Sequence, residues 1–364
     1  MTSDLRQREA KLQSCRRVVG VGGIGTGLCF EFEDNHDLGR NESRDARLSD
    51  ARDYCKLHIV MHYLASLLNN YSPETQVHLV PIGKVGNDAA GEQLLVEMKA
   101  HELDVTHVQS VEGAPTLFSV CFQYPDKSGG NITSSNSAAA QLTMEDVERA
   151  RRLFEESKVH TIALAVPEAP LDVRQYLLRV ATEYGAFRVG SFTASEVEAL
   201  KESDWFNLLD LIALNEEEAS RLVGHTFNPS ASDSFLESCS AALAATNTTA
   251  WIVVTAGKHG AFGFDGEEWI HSPALASKVV NTAGAGDALL AGTLAGLMMG
   301  CSFTNKQRLK GIISALDFGV LFASYSATSQ HTIHPRAKLD DVRAFARASG
   351  LELGRLPRRS VAVS

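Results

Sequence analysis

Cysteine pairs are missing from this chain of 364 residues: Cys15, Cys29, Cys55, Cys121, Cys239 and Cys301 stand far apart, with no C-x-x-C. That argues against a disulfide framework and fits reduced thiols. Positive charge is also short. Lys and Arg number 34 against 44 Asp and Glu, a formal net charge of −10, which argues against an extended nucleic-acid or anionic-membrane surface but leaves room for a small pocket for a phosphorylated ligand. Long apolar runs are absent too. The longest low-polarity stretch, ALLAGTLAGLMMG (288–300), is too short and too glycine-rich to span a bilayer. The start, MTSDLRQREAKLQSCRR, lacks the apolar centre of a secretory signal. The expectation is a soluble, cytoplasmic protein. No internal repeat is visible. No Walker A loop is present either, because Gly83-Lys84 and Gly257-Lys258 run into Val85 and His259 rather than Ser or Thr.

What is present is alternation. The runs 17–23, 76–83, 160–166, 187–192, 208–215 and 250–257 are short, apolar and β-branched, and read as buried strands. Between them, 88–103, 143–157, 170–185 and 216–224 carry helical spacing, and Thr143 followed by Asp146 has a capping-box form. Such alternation predicts an α/β fold with a mostly parallel sheet covered on both faces. Two segments break it. LCFEFED (28–34) and TLFSVCFQYPDKSGGN (116–131) alternate apolar and polar residues with no helix following, as strands of a small separate sheet with one solvated face would. The charge-dense stretch 34–53 reads as a loop, and residues 1–16 and 354–364 as flexible termini.

Several motifs carry chemistry. GVGGIG (20–25) satisfies the dinucleotide fingerprint, but that fold needs a helix at the last glycine, and here strand-like TGLCFEFEDN follows. NTAGAGD (281–287) is different, because an upstream strand signal precedes it and a helical run begins at Asp287. Consecutive amides of Gly284, Ala285 and Gly286 would point at one spot at the helix N-terminus, where the dipole favours an anion. Asp287 beside that spot could take a proton from an attacking hydroxyl. The simpler reading is an Asp cap after a glycine turn. Upstream, Asn215 and Glu218 at a strand end could hold hydrated Mg²⁺ and its phosphates, or Glu218 could simply complement the helix dipole. Thr255, Gly257 and Gly260 end the next strand, ahead of a hairpin. His58 and His62, four apart on one helix, lack an evident third metal ligand.

Three strand-end sites in this order resemble the C-terminal half of ribokinase-like (PfkB-type) carbohydrate and nucleoside kinases. PIGKVGNDAAGEQLLVEM (81–98) resembles that family's first half, and the likeness spans most of residues 17–340. It implies a ribokinase-like three-layer core over 17–345, with a small β-sheet lid inserted near 26–34 and 115–131. It further implies ATP and Mg²⁺ as cofactors, Asp287 as the catalytic base, and Gly284, Ala285 and Gly286 as an anion hole. Asn215, Thr255, Gly257 and Gly260 would lie at the nucleotide and Glu218 at the metal. The acceptor side departs from the pattern. GIGTG stands where an Asp is usual, and RDYCKLHIVMHYLASLL has no glycine pair or Asn. Thr26, Asp53, Lys56, His58 and Asn131 are the substrate-binding candidates there. Asn281 replaces the Asp that usually opens the anion-hole motif. The reading is an ATP-dependent transferase acting on a hydroxyl of a small polar acceptor, a sugar or nucleoside, with a homodimer through the lid as a candidate assembly and no nucleic-acid or membrane partner. The competing readings are a non-catalytic nucleotide- or metabolite-binding regulatory protein on the same scaffold, and an NAD-dependent oxidoreductase built on GVGGIG.

Overall fold

Every apolar run read as a strand becomes one, and seven of the nine strands in the large sheet lie parallel. In the computed structural model, which describes residues 3–69, 71, 76–126, 128–201, 203–244, 249–307, 309–351 and 353, these are β1 (Arg17–Val21), β4 (His78–Gly86), β5 (Val108–Val111), β8 (Thr161–Ala165), β9 (Phe187–Ser191), β10 (Leu211–Asn215) and β11 (Trp251–Thr255). A hairpin of β12 (Ala261–Phe264) and β13 (Trp269–Ser272) closes one edge antiparallel, giving the order β13-β12-β11-β10-β9-β8-β1-β4-β5.

Alternation of side chains along each strand builds three layers. Val18, Ile162, Leu164, Trp251 and Val253 face one apolar cluster. Val19, Ala163, Ala165, Ile252 and Val254 face the other. The first cluster is covered by α1 (Ser3–Ser14), α2 (Lys56–Leu68), α3 (Ala89–Ala100), α10 (Ala285–Met298), α11 (Ala315–Ser326) and α12 (Leu339–Ala348). On the other side lie α4 (Met144–Glu148), α5 (Arg151–Ser157), α6 (Leu171–Glu183), α7 (Ala194–Leu200), α8 (Glu216–Val223) and α9 (Ser232–Ala244). No helix of the described residues is long and apolar enough to cross a membrane.

The small sheet has the order β3-β2-β6-β7, from β2 (Gly25–Glu31), β3 (Arg47–Tyr54), β6 (Leu117–Gln123) and β7 (Gly129–Thr133). Its two central strands, β2 and β6, are parallel, and each edge strand is antiparallel to its neighbour. Asp88 anchors one root of this lid. It caps α3 through Gly91 N (2.8 Å) and accepts from both the amide (2.8 Å) and the hydroxyl (2.6 Å) of Thr116.

Three expectations change and a fourth, the missing helix after GVGGIG, holds. The charged stretch 34–53 is not all loop: residues 47–54 form β3, an edge strand that needs apolar side chains on only one face, and Ala51 and Asp53 are the ones buried. Residues 1–16 are not simply flexible, because Ser3–Ser14 is helical, with Leu5 and Leu12 buried in the layer of α10. The single helix expected over 143–157 is two, α4 and α5, although the Thr143–Asp146 capping box forms. GVGGIG leads from β1 into β2 with no helix between them; Gly23 is small because a Cβ there would sit 2.5 Å from Glu168. Residues 354–364 lie outside the described residues.

Candidate active site

The chain leaves β1 for the lid and β4 on one side, then returns to β8 on the other. Ligand crevices open outside the carboxyl ends of strands at such a reversal, and most of the chemistry-bearing residues converge there. Asp287 stands in the first turn of α10, behind Gly284 at the N-cap with φ 75°. A side chain at 284 would be strained by that backbone, and its Cβ would press to 2.8 Å on the Thr332 carbonyl. Helix geometry leaves the first-turn amides without partners four residues back. The Ala285 amide, however, closes the turn onto Thr282 O (3.1 Å), so the anion-facing donors are those that follow it. At Gly286 an added Cβ would meet only open space.

Lys56 opens α2, with Nζ 4.0 Å from Asp287 Oδ2. The Asp287 charge holds the Lys56 ammonium above its ordinary range. Burial raises the Asp287 carboxyl, and Lys56 opposes that rise. Glu168, just past β8, accepts from the Lys56 amide with Oε2 (2.9 Å) and so caps α2 from another loop. It does so with φ 71°, a conformation costly for a non-glycine residue. Glu168 was not among the sequence candidates. Its signal was a lone acid directly behind a fully apolar strand, between Pro167 and Pro170.

Asn215 ends β10 in register with Thr255 at the end of β11. Asn215 and Glu218 form a full capping box: Asn215 Oδ1 accepts from Glu218 N (2.8 Å), and Glu218 accepts from Asn215 N (2.8 Å) and Nδ2 (2.9 Å). The local capping role is therefore real, while the Glu218 carboxylate also faces the charges of Lys56 and Asp287. Gly257 and Gly260 shape the turn from β11 into β12, both with positive φ. Asn281 is buried and links the two units: its Oδ1 accepts from Ala283 N (2.9 Å) and from lid residue Gln123 (3.4 Å), and its Nδ2 donates to Gln330 O (2.8 Å).

The acceptor candidates divide. Asp53 is buried within the lid, on β3, accepting from Ser119 Oγ and from Cys121 Sγ (3.2 Å), and its charge is felt by Asp287 and Glu168. Asn131 is exposed on edge strand β7, in register with Cys121. Thr26 is turned away: it alternates with the inward Gly25 and Gly27 and donates to the Asp53 carbonyl (3.2 Å), serving strand pairing. His58 is likewise no acceptor contact. It is buried edge-on against Tyr54, with both ring nitrogens unpartnered, on the side of α2 that meets His62 and His101. Burial lowers its pKa to about 3 and that of His62 to about 2, so both are neutral packing groups. Among the described residues no cluster is arranged to hold a metal ion through three or more His, Cys, Asp or Glu side chains.

Burial pushes the Glu168 and Glu218 carboxyls up to about 7 from an ordinary 4.5. A carboxyl with a higher pKa folded than unfolded binds more protons when folded. Its stabilising contribution is complete below about 4.5 and is lost as pH rises through about 7. Without ligands, Glu168→Gln is therefore expected to raise Tm at pH 8 by roughly 2 °C or more and to change it little at pH 5. Equal gains at both pH values in thermal scans would contradict this.

A buried carboxylate beside an ammonium and a helix N-terminus can accept a hydroxyl proton next to a bound anion. Comparisons with known proteins place the chain in a family. The model of the pfkB family carbohydrate kinases matches residues 60–339. The ATP-dependent 6-phosphofructokinase of Thermoanaerobacterium thermosaccharolyticum is 24% identical over 253 residues, 66% of this chain and 73% of that protein. In fold the chain is similar to ribokinase from Giardia lamblia (TM-score 0.72, 15% identity, 91% and 99% of the two chains covered). It is also similar to Arabidopsis thaliana ribokinase complexed with ribose and ATP (TM-score 0.65, 19% identity, 90% and 98% covered). By the family match, which covers most of its length, the chain belongs to the pfkB family of carbohydrate kinases.

Proposed function

We propose that the protein transfers the γ-phosphoryl group of ATP to a hydroxyl of a small polar acceptor, a sugar or a nucleoside. The observation that carries this reading is Asp287, raised in pKa by burial, in the first turn of α10 behind left-handed Gly284 and facing Lys56. Asp287 takes the acceptor's hydroxyl proton as its oxygen forms the new bond to phosphorus and the bond to the ADP oxygen breaks. The first-turn amides of α10 hold charge on the moving phosphoryl group. Lys56 opposes the rise that burial gives the Asp287 carboxyl. Positioning and charge stabilisation of this kind are what phosphoryl transfer requires.

Asn215, Thr255, Gly257 and Gly260 are assigned to the nucleotide, and Asp53 and Asn131 to the acceptor side. The donor set fits a hydrated Mg²⁺. Glu218, already oriented by Asn215, would hold the ion's water shell with a carboxylate whose pKa burial raises. When bound, Mg²⁺ neutralises phosphate charge; the chain's part is to orient its water shell through Glu218. Glu218→Gln is thus expected to shift the Mg²⁺ concentration for half-maximal activity upward by about tenfold with little change in ATP affinity. An unchanged Mg²⁺ titration would leave Glu218 as a cap only.

The kinase domain is assigned to 17–345, with α1 packed onto it in the layer of α10 and the lid inserted between β1 and β8. The outer lid face exposes Leu28, Leu48, Phe118 and Ile132, the last 65% accessible, and this supports a homodimer through the lid. Sedimentation as a monomer at micromolar concentration would remove that assignment. The function itself is tested by screening sugars, nucleosides and polyols for acceptor-dependent ADP release. Release that no acceptor accelerates would contradict it.

A further inference from the structure

Asp53 is 4% exposed, yet it lies on an edge strand. It reaches that depth by passing beneath the neighbouring strand. Gly27 of β2 is its cross-strand partner, and a Cβ at 27 would stand 2.7 Å from Asp53 Oδ2 and overlap Ser119. Glycine at 27 thus leaves the space in which the carboxylate meets Ser119 Oγ and Cys121 Sγ, both on β6 on the far side of β2. Two donors fix it there, within the electrostatic reach of Asp287 and Glu168.

The charge around it is one-sided. Glu168, Glu218 and Asp287 face Lys56 as their shared cation, and Asp53 adds its charge to Glu168 and Asp287. Neighbouring guanidiniums are committed elsewhere: Arg52 to Glu97 (3.0 Å) and Arg174 to Glu196 (2.7 Å). Carboxylates accept hydrogen bonds from hydroxyl groups. A second anionic group on the acceptor would instead lie among like charges, which is strongly unfavourable.

We infer that Asp53, seated through Gly27 and held by Ser119, is a specificity-determining residue, and that the acceptor pocket takes unphosphorylated, hydroxyl-bearing compounds and rejects phosphorylated ones. This rests on the kinase reading above. The charge of ATP does not conflict with it, because the nucleotide phosphates are assigned to the α10 N-terminus and the Glu218 side.

The test uses the full-length protein with Mg-ATP and matched pairs: 2-deoxyribose and its 5-phosphate, fructose and its 6-phosphate, adenosine and its 5′-monophosphate. ADP release is expected with an unphosphorylated member, with kcat/KM for its phosphorylated partner at least about 100-fold lower. Asp53→Asn keeps the shape and removes the charge. It is expected to raise acceptor KM by about tenfold or more, leave the KM for Mg-ATP unchanged and narrow the ratio within the pair. Ser119→Ala keeps the charge and frees its seat, and is expected to raise acceptor KM by a smaller factor; it carries the test if Asp53→Asn fails to fold. Preference for a phosphorylated member, or an acceptor KM unmoved in a folded variant, overturns the inference while the kinase reading stands. ADP release with no member of any pair counts against both.

Discussion

Asp287→Asn is expected to lower turnover by about 10²–10⁴-fold in a protein that stays folded and still binds ATP. Gly284 is the N-cap and Asp287 lies in the first turn, where complementing the helix dipole is worth about 0.3–1 kcal/mol, so a role limited to that turn would leave activity almost intact. The two roles separate cleanly because Asn has nearly the same shape but cannot take the hydroxyl proton. Removing one negative charge beside Lys56, 4.0 Å away, also leaves the phosphate side more positive. ATP affinity is therefore expected to hold or rise slightly while kcat collapses. Steady-state kinetics and nucleotide binding on the same preparation check this. Turnover within threefold of the unaltered enzyme would return Asp287 to the role of a first-turn acid that complements the helix dipole.

Trp251→Ala is expected to cost about 3–5 kcal/mol of stability, lowering Tm by roughly 4–7 °C. Trp251 is fully buried on β11, stacked on Phe303 with ring centroids 4.6 Å apart and planes 3° apart, and tilted against Phe187 at 5.9 Å. Alanine would leave a cavity between the sheet and the loop after α10, at a place bounded by β strands that cannot collapse to fill it. Trp251→Phe keeps most of the apolar surface and should lose less than half as much. Thermal denaturation that shifts by under 2 °C for the alanine variant would mean that this layer is not packed as described.

How much of this was legible in the sequence depended on what kind of signal each element carried. Six of the seven parallel strands could be read because both faces are buried and their runs are mostly apolar, as in TIALA of β8 and WIVVT of β11, whereas β5, VQSV, is only partly buried and carries no such run. Asp287 and Gly284 could be read because a glycine turn running into an apolar helix is a local pattern. β3 could not: RLSDARDY buries two side chains, one of them an aspartate, and its pairing partner lies twenty residues earlier. α1 was hidden for a similar reason, with Leu5 and Leu12 among charged neighbours. Thr26 was misplaced because one step along a strand reverses the face. His58 was misplaced because its side of α2 is settled by tertiary packing against Tyr54 and His62. Glu168 escaped notice because its importance comes from reaching the N-terminus of α2, 112 residues away in sequence, which no local pattern announces.

The most direct test of the central claim is to follow the phosphoryl group itself. The protein is incubated with Mg-ATP labelled at the γ-phosphate and with each acceptor that accelerates ADP release, and the products are identified by mass and by ³¹P NMR. The account predicts one phosphorylated acceptor formed per ADP, with the label on a former hydroxyl oxygen, and no such product from Asp287→Asn on the same timescale. ADP accompanied by free labelled phosphate in place of a phosphorylated acceptor, or equal product from the Asn variant, would contradict it.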